Sequence, residues 1–474
     1  MSTRPFWLAG SAATGDTELT VLNPYTGETA GTAAVPSTAQ IEQAVAAADA
    51  VAPQAAALPA HVRAEALAHV SRLLAERAEE IAALITAESA KPITWARVEA
   101  ARAVSVFRWA AEEARRDSGE LQRLDTDPSA TGRIALIRRV PKGPVLGISP
   151  FNFPLNLVAH KIAPAIAVGA PIILKPAPAT PLSALVLGEI LAETDLPAGM
   201  VSVLPMPNER AAPLITDPRL PVISFTGGQF GWELQRLAPH KHVTLELGGN
   251  AAAVVLPDAD LDWAARRIAV FGNNHAGQVC VGVQRVIVDD LVYEEFTAEL
   301  VRRVEALRTG DPADPATEVG PLIDENAAVR VESWVREAVE AGATLLTGGR
   351  RDGVSVAPTV LADVPDDARV VRDEVFGPVL VVQRTSGVDE AFAKVNAGDY
   401  GLQAGVFTRD LQVAFRAHRE LEVGGVVIGD VPSFRADQMP YGGVKKSGVG
   451  KEGLAAAMAD LTYERVLALT GVQL

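Results

Sequence analysis

Short apolar runs alternate with amphipathic segments through the middle of the chain. Alternating strands and helices with short connections are typical of a parallel sheet that helices cover on both faces. The helical segments begin at about Leu155 and at Pro181. The runs themselves predict strands at Val145–Ile148, Ile172–Leu174, Val201–Leu204 and Val222–Phe225.

A second alternating series follows and predicts a second α/β unit. Neither an internal repeat nor a low-complexity linker separates the two series, so a boundary near residue 246 rests on the pattern alone. The strands of this series are predicted at His242–Glu246, Ala252–Val255, Arg285–Val288, Val379–Val382, Gly405–Thr408 and Gly425–Ile428.

Segments with two other patterns precede the first series. Residues 39–117 are rich in alanine and carry apolar residues at helical spacing, which predicts helices. Arg133–Val140 alternates after the turn-forming segment 127–129, which favours a hairpin. The strand-like segment Tyr463–Leu469 lies beyond the second series, and we expect it to pair with this hairpin.

Length and charge narrow the classes of protein. At 474 residues the chain exceeds the size of a single hydrophobic core, so two or three domains are expected. The net charge is −15 and no basic run is present, which argues against nucleic acid and anionic membranes as partners. Ile162–Leu174 is the longest apolar run, and it is shorter than the ~20 residues of a spanning helix. No signal-peptide pattern is visible, so we expect a cytoplasmic protein.

Cys280 is the only cysteine of the chain. It therefore cannot form an internal disulfide or a multi-cysteine metal site, and the scattered histidines predict no metal site either. Two interpretations remain open at this point. Cys280 is either a small buried apolar residue or a catalytic nucleophile in a glycine-flanked loop.

Several polar residues follow the predicted strands, where parallel sheets bind ligands. Asn152 suits an oxyanion, although it also suits a helix cap. Lys175 can bind a ribose or a phosphate, or be a solvated lysine. Gly227 and Gly228 allow a pyrophosphate to approach a helix N-terminus. Glu246, between a strand and two glycines, can act as a general base or be an ordinary charged strand end.

Two further motifs lie near the carboxyl end of the chain. Glu374 and Phe376 combine a carboxylate that can hold a ribose diol with a ring that can flank a nicotinamide, although a plain turn into a strand is equally compatible. Gly448-x-Gly450-x-x-Gly453 matches the dinucleotide fingerprint as a string. It follows a turn and not a strand, so we interpret it as a loop entering a helix.

The order of these motifs resembles the aldehyde dehydrogenase superfamily over nearly the whole chain. The motifs that carry the resemblance are Pro-Phe-Asn-Phe-Pro around Asn152, Lys175-Pro176, Phe225-Thr226-Gly227, Glu246-Leu247-Gly248-Gly249, Gly277-Gln278-x-Cys280, Glu374-x-Phe376-Gly377-Pro378 and Pro440-Tyr441-Gly442-Gly443.

The resemblance implies an α/β fold with a Rossmann-type cofactor domain, an α/β catalytic domain and a small β bridging element that makes homodimers or homotetramers. The cofactor domain would comprise residues 1–118 and 142–246. Residues 247–440 would form the catalytic domain. The oligomerisation element would comprise residues 119–141 and 457–474.

It also implies roles for residues. Cys280 would attack the aldehyde, Asn152 and the Cys280 N–H would bind the oxyanion, Glu246 would activate water and Lys161 would support the site. Cofactor contacts would come from Ser149, Pro150, Phe151, Lys175, Ala177, Pro178, Gly227, Gly228, Leu247, Gly248, Glu374 and Phe376. NAD-preferring members often have a glutamate at the position of Pro178, so either NAD or NADP is compatible with this sequence.

The segment Phe434–Pro440 resembles a subgroup that acts on lactaldehyde, succinate semialdehyde and phosphonate or sulfonate aldehydes. Our hypothesis is a small anionic or hydroxylated aldehyde, which a guanidinium at Arg435 could bind. A purely structural pairing of Arg435 with Asp437 or Glu374 is the alternative. The substrate residues would be Asn152, His160, Val279, Val281, Arg435 and Tyr441.

Three other functions compete. A CoA-acylating aldehyde dehydrogenase is the nearest, but it does not need the hydrolytic base that Glu246 would provide. A cysteine hydrolase would need a histidine beside Cys280, and His275 is the nearest in sequence. A binding protein on the same fold would be expected to lose Cys280, Asn152 or Glu246.

Overall fold

The computed structural model describes residues 2–116 and 118–472. Four short strands and four helices precede the alternating part of the chain. The capping box of Ser37 and Gln40 starts the first helix, because each side chain bonds the other residue's backbone N–H. The strands are β1 (Phe6–Leu8), β2 (Ser11–Ala13), β3 (Thr17–Leu22) and β4 (Thr29–Val35), and the helices are α1 (Thr38–Ala57), α2 (Ala60–Glu76), α3 (Ala78–Ser89) and α4 (Ile93–Arg116).

A hairpin of β5 (Glu120–Arg123) and β6 (Arg133–Pro141) leads into the first alternating series, where the predicted strands are confirmed to within a residue or two. The apolar strands are buried on both faces, as a helix-covered parallel sheet requires. The series comprises β7 (Val145–Ile148), α5 (Asn156–Val168), β8 (Ile172–Lys175), α6 (Leu182–Ala192), β9 (Val201–Val203), α7 (Asn208–Thr216), β10 (Val222–Thr226), α8 (Phe230–Leu237) and β11 (His242–Glu246).

Two buried glutamates fix the starts of the helices in this unit. Glu88 accepts hydrogen bonds from the N–H groups of Leu182 and Ser183 at the start of α6. Glu99 does the same for Leu155 and Asn156 at the start of α5. A carboxylate at a helix N-terminus satisfies free N–H groups and opposes the helix dipole. The turn that carries Asn152 is thereby tied to the helical layer.

The second series forms a separate sheet with strand order β14-β17-β18-β13-β12-β20-β21. The prediction that His242–Glu246 begins this series was wrong, because this strand is β11, which pairs in parallel with β10 in the first sheet before the chain crosses. The sequence predicted β12, β13, β18, β20 and β21, which form most of this sheet. The elements are β12 (Ala251–Val255), α9 (Leu261–Asn273), β13 (Val283–Asp289), α10 (Tyr293–Glu305), α11 (Glu325–Glu340), β14 (Thr344–Thr347), β15 (Arg351–Asp352), β16 (Ser355–Val356), β17 (Thr359–Ala362), α12 (Arg369–Arg372), β18 (Val379–Thr385), α13 (Gly387–Asn396), β19 (Tyr400–Gly401), β20 (Gln403–Phe407), α14 (Leu411–Glu420) and β21 (Gly425–Ile428).

The last elements are β22 (Val444–Lys445), β23 (Gly448–Val449), α15 (Leu454–Asp460) and β24 (Thr462–Thr470). Of these, β22 pairs with β19 in a small two-stranded sheet, and the other strands return to the first sheet and to the hairpin of β5 and β6. β23 pairs antiparallel with β11, which completes the order β2-β1-β9-β8-β7-β10-β11-β23. The prediction of a loop that enters a helix at 448–453 is confirmed by α15, which begins at Leu454, but it was wrong for Gly448 and Val449, which form β23. As predicted, β24 pairs with β6 along its whole length, and β5 lies on the other side of β6.

The fold is thus the predicted α/β architecture. Two sheets with mostly parallel strands have separate hydrophobic cores, and the chain passes between them after Glu246. The residue bounds of the three domains stay a prediction. The carboxyl ends of β7, β8, β10 and β11 lie at one edge, and the loops of the second sheet face this edge across a cleft.

Candidate active site

A cleft of about 630 Å³ lies at this edge. Every residue predicted to contact a cofactor lines it, and so do Asn152, Glu246 and Cys280. Sequence reasoning missed other lining residues. Ile148 is the apolar last residue of β7, and the others come from helices and carry no strand-end signal: Leu157, Asn208, Ala211, Ala212, Ile215, Phe230 and Arg330.

Cys280 lies in the loop between α9 and β13, after a left-handed turn. His275, Ala276 and Gly277 have φ angles of 50°, 53° and 71°. A Cβ atom on Gly277 would lie 2.1 Å from the Gly377 carbonyl oxygen, so a side chain cannot fit there. The turn reverses the chain and presents the half-buried Cys280 to the cleft.

The Cys280 thiol lies 3.2 Å from the Tyr441 hydroxyl. Val279, Val281 and Leu402 pack around this pair, so the predicted substrate residues Val279, Val281 and Tyr441 surround the sulfur. Burial raises the pKa of Cys280 to about 11, and the hydrogen bond from Tyr441 opposes that shift. Among the residues that the structure describes, no histidine bonds this sulfur. His275 is buried with both ring nitrogens unpaired in that set, which argues against a cysteine hydrolase.

Asn152 reaches the same loop from the opposite sheet. Its Nδ2 donates to the Gln278 carbonyl oxygen at 2.8 Å. The Gln278 side chain in turn donates to the His275 carbonyl and accepts from the Ile323 N–H, which fixes the segment before the nucleophile. An amide donor is therefore placed beside the cysteine loop, as an oxyanion site requires.

Glu246 ends β11 and is buried, with 3% of its surface exposed. Neither of its carboxylate oxygens has a hydrogen-bond partner within the described ranges. Burial and the nearby Glu452 raise the pKa of Glu246 well above its usual value. An unsatisfied buried carboxylate is costly, so this one is available to bind a water or a substrate proton in the cleft.

Lys161 lies behind the cleft instead of lining it. Its Nζ donates to Ser224 Oγ at 3.0 Å and to Thr226 Oγ1 at 2.7 Å, and it is 3.6 Å from Glu452 Oε1. Burial lowers the pKa of Lys161. Its position agrees with a supporting role and not with direct substrate contact.

Arg435 pairs with neither Asp437 nor Glu374. The alternative prediction, a structural ion pair of Arg435 with one of these two residues, therefore named the wrong partner. Its Nη2 donates to Glu452 Oε2 at 3.0 Å, and its guanidinium lies 3.9 Å from the centre of the Tyr441 ring. The Arg435 Nε is buried and has no hydrogen-bond partner in the described part of the chain.

His160 lies against the same guanidinium, 3.4 Å from Arg435 Nη2. Burial and this neighbouring cation lower the pKa of His160 to about 4, so the imidazole is neutral at neutral pH. Asp437, which accepts from Arg102 at 2.8 Å, lies 3.3 Å from His160 Nε2. Arg102 and Glu452 were absent from the sequence prediction, and Asp437 was predicted only as a possible partner of Arg435.

Residues 11–467 match the model of the aldehyde dehydrogenase family. The chain belongs to the aldehyde dehydrogenase family. It is 42% identical over 466 residues to a 3-sulfolactaldehyde dehydrogenase of Priestia megaterium, covering 98% of this chain and 97% of that one.

Two solved dehydrogenase structures are similar to this chain over its whole length. Aldehyde dehydrogenase 21 from Physcomitrella patens, crystallised with the reaction product succinate, is 43% identical and superposes with a TM-score of 0.98, covering 100% of this chain and 99% of that one. An NADP-dependent glyceraldehyde-3-phosphate dehydrogenase from Bacillus halodurans, complexed with NADP, is 35% identical with a TM-score of 0.95 and full coverage of both chains. The protein is thus an NAD(P)-dependent aldehyde dehydrogenase that oxidises an aldehyde to its carboxylic acid.

The far end of the cleft in this aldehyde dehydrogenase offers a buried cation. Lys175 Nζ donates to Asn208 Oδ1 at 2.6 Å, and burial lowers the pKa of Lys175 to about 8. Pro178 lines the same region, and it carries no charge that would repel a phosphate.

The near end offers a carboxylate and two rings. Glu374 Oε1 accepts from the Gly249 N–H at 3.0 Å, and burial raises the pKa of Glu374 to about 7. Phe151 and Phe376 meet edge to face with ring centres 5.9 Å apart. A Cβ atom on Gly248 would lie 1.9 Å from Glu374 Oε2, so only a glycine leaves room for the carboxylate at this position.

Buried amides hold the segment that carries Glu374. Gln284 Nε2 donates to the carbonyl oxygens of Val370 and Asp373 at 2.8 Å each, and Gln284 Oε1 accepts from the Val375 N–H at 2.9 Å. The Gln284 amide therefore bonds backbone groups on both sides of Glu374 and fixes this segment. No local pattern around Gln284 predicts these contacts.

These residues fit a dinucleotide. The cleft is open at Gly228, where a Cβ atom would meet nothing within 4 Å, and its ends carry a cation and an acceptor for hydroxyl groups. Among residues 2–116 and 118–472, no group of three histidine, cysteine, aspartate or glutamate side chains is arranged to hold a metal ion. In the same ranges, no helix has the length and apolarity to cross a membrane.

Proposed function

We propose that this aldehyde dehydrogenase oxidises a small aldehyde that carries an anionic or hydroxylated group, and that Arg435 recognises this group. The observation that carries the proposal is the buried Arg435 guanidinium, stacked on the ring whose hydroxyl contacts Cys280, with its Nε unpaired in the described structure. A donor fixed next to an aromatic wall suits a sulfonate or a carboxylate. An anionic substrate is also supported by the relative named a 3-sulfolactaldehyde dehydrogenase and by the related structure that contains the reaction product succinate.

In the proposed reaction, the Cys280 sulfur attacks the aldehyde carbon and the carbonyl electron pair moves onto oxygen. Asn152 Nδ2 and the Cys280 N–H donate to that oxyanion, and the loss of one such donor typically costs on the order of 10²–10³ in rate. A bound nicotinamide, flanked by Phe376 and held through its ribose by Glu374, would supply the acceptor for the hydride that leaves the same carbon. Cys280 then holds the acyl group as a thioester.

Glu246 completes the proposed cycle as the general base. Its carboxylate takes a proton from water, whose oxygen attacks the thioester carbon and releases the acid and the Cys280 thiolate. The absence of any hydrogen-bond partner for Glu246 in the described structure supports this role, because both oxygens are free to orient water. Lys161, bonded behind the site, would stabilise the surrounding charges.

We propose that Lys175 and Glu374 bind the two riboses, and that Phe376 flanks the nicotinamide. Gly227 and Gly228 would lie near the pyrophosphate, with the other predicted cofactor residues as walls. Neither NAD nor NADP is favoured by the charges near Pro178.

Cofactor affinity is expected to weaken about tenfold as pH falls from about 8 to about 6. The pKa of Glu374 is raised to about 7, so acidification protonates the carboxylate and replaces two charged acceptors for the ribose hydroxyls by a neutral carboxyl that accepts more weakly. The dissociation constant of NAD(P)H, measured by fluorescence across this range, checks this. Glu374→Gln should bind weakly and should lose this decline at low pH, leaving only the opposite trend of Lys175, whose pKa of about 8 makes it more cationic as pH falls.

Glu88→Gln is the matched control. Glu88 is also buried with a pKa raised to about 7, but it caps α6 outside the cleft. This variant should keep the wild-type pH dependence of binding. A Glu374→Gln variant with that same dependence would exclude Glu374 as its source.

The substrate proposal is tested with aldehydes of similar size that differ in charge. Wild-type enzyme should show higher kcat/KM for succinate semialdehyde or a sulfonated aldehyde than for neutral pentanal. Arg435→Gln should lower kcat/KM for the anionic aldehydes by about 10–100-fold more than for pentanal, because it removes a charge-assisted hydrogen bond. Reduction of NAD(P)+, followed by absorbance, gives both constants.

Arg267→Gln is the control for this test, because Arg267 forms a comparable ion pair with Asp430 away from the cleft. It should leave the ratio of the two specificity constants unchanged. An equal loss for anionic and neutral aldehydes in Arg435→Gln would mean that Arg435 only supports the structure.

We also propose that the enzyme is a homodimer or a homotetramer that assembles through the sheet of β5, β6 and β24. Support comes from the exposed apolar residues of this sheet, Leu121, Leu136, Val466 and Leu467. Light scattering of the purified enzyme tests the oligomeric state. The cytoplasmic location stays a prediction, which cell fractionation would test.

A further inference from the structure

The Tyr441 hydroxyl is the hydrogen-bond partner of the Cys280 sulfur in the described structure, at 3.2 Å. The tyrosine is 4% exposed and packs with Val279, Val281 and Leu402. A hydroxyl is a far better donor than a thiol, and a thiolate can only accept. The contact therefore becomes stronger when the sulfur loses its proton.

The position of Tyr441 is fixed by backbone and side-chain contacts. Its N–H donates to the Glu452 carbonyl oxygen at 3.0 Å, and its carbonyl oxygen accepts from the Glu452 N–H at 2.6 Å. The Glu452 side chain holds Arg435, whose guanidinium lies over the ring at 3.9 Å. A cation on the ring face draws electron density from the phenol and strengthens the hydroxyl as a donor.

We propose that Tyr441 is a further catalytic residue, whose hydroxyl donates a hydrogen bond to the Cys280 sulfur and stabilises the thiolate before the aldehyde binds. In this step the S–H bond breaks, its electron pair stays on sulfur and the proton passes to water. Tyr441 keeps its own proton throughout. When the sulfur then bonds to the aldehyde carbon, the negative charge moves to the carbonyl oxygen and the hydrogen bond from Tyr441 weakens.

Two electrostatic facts agree with this assignment. Burial and the nearby Cys280 raise the pKa of Tyr441 well above its usual value, so the phenol is a donor and not a base at neutral pH. Burial raises the pKa of the Cys280 thiol to about 11, and Tyr441 is the largest influence that lowers it. The site therefore has few other means to favour the thiolate. The inference rests on the proposed role of Cys280 as nucleophile.

The test is the pH dependence of Cys280 alkylation by iodoacetamide, without aldehyde or cofactor. Because the chain has one cysteine, all alkylation measured by mass spectrometry reports this sulfur. Tyr441→Phe keeps the ring and removes the hydroxyl. We expect the alkylation rate at pH about 8 to fall about tenfold, as the thiol pKa rises by about one unit. The turnover of aldehyde should fall in parallel.

Tyr293→Phe is the matched control. Tyr293 is also buried, and the Arg384 guanidinium lies 3.6 Å from its ring centre, but it lies outside the cleft. In this variant, Cys280 should be alkylated at the wild-type rate at each pH. Melting temperatures verify folding, and Tyr441→Leu provides the same test if the phenylalanine variant is unstable.

An unchanged alkylation profile in folded Tyr441→Phe would overturn the inference, even if turnover fell, because Tyr441 would then act only on the substrate. The assay separates this inference from the proposed function. If no aldehyde were turned over by wild type but the profile shifted in Tyr441→Phe, the proposed function would fail and the role of Tyr441 on the thiolate would stand.

Discussion

Cys280→Ala is expected to lower aldehyde turnover by on the order of 10⁴-fold or more, because no other group in the cleft can form the thioester. The variant removes a small, half-buried side chain from a loop, so the fold should persist. NAD(P)H production with a panel of aldehydes, including the best substrate of the wild type, measures the loss.

Cofactor binding is the control for Cys280→Ala. NAD(P)H should bind with an affinity close to that of wild type, because Lys175 and Glu374 remain in place. If binding persisted and turnover stayed within about tenfold of wild type, Cys280 would not be the nucleophile. Cys280→Ser provides an isosteric second variant, which should also be strongly impaired because a serine hydroxyl is much less acidic and less nucleophilic than a thiol.

Glu246→Gln is expected to separate the two halves of the reaction. Acylation and hydride transfer need no base at this position, whereas attack of water on the thioester does, and general-base catalysis contributes about 10²–10⁴ in rate. Rapid mixing should therefore show a burst of about one NAD(P)H for each active site, followed by slow turnover. Mass spectrometry should detect the acyl group on Cys280.

The pH dependence of the wild type provides an independent check. The pKa of Glu246 is raised by burial, so steady-state turnover should decline as pH falls and the base becomes protonated. Added hydroxylamine, which attacks a thioester without a base, should restore turnover to Glu246→Gln. A variant that lost the burst together with the steady state would place Glu246 before hydride transfer.

Product analysis also separates this reaction from the CoA-acylating alternative. The wild type should release the free acid, in equal amounts with and without CoA. The comparisons with the relatives support oxidation to the acid, and the unpaired Glu246 carboxylate in the cleft agrees with a hydrolytic step.

The sequence predicted the central strands well for a physical reason. Strands buried on both faces are continuous apolar runs, and Val145–Ile148 is such a strand with the predicted bounds. His242–Glu246 and the partly exposed edge strand Gly425–Ile428 also have the predicted bounds. Polar residues that interrupt such runs must lie at strand ends, which placed Asn152, Lys175 and Glu246 at one edge. The short strands of the first 35 residues carry no such run and were not predicted.

The ion pairs behind the site could not be predicted from local patterns. Glu452 pairs with Arg435, and Asp437 with Arg102, across turns and sheets that only the tertiary fold brings together. Glu452 lies inside the glycine string at 448–453, which was correctly rejected as a dinucleotide motif. That rejection removed the one local reason to look at this segment.

The left-handed turn before Cys280 also lowers the free energy of unfolding. His275 and Ala276 have side chains, so each pays about 1–2 kcal/mol for its positive φ. The fold thus gives up about 2–4 kcal/mol of global stability at this turn, a sizeable part of the margin of an ordinary protein. Glycine at position 276 would remove the strain of one positive φ, but it would also remove the Ala276 methyl from a hydrophobic core in which it is buried. Backbone strain and side-chain packing therefore act in opposite directions at this residue.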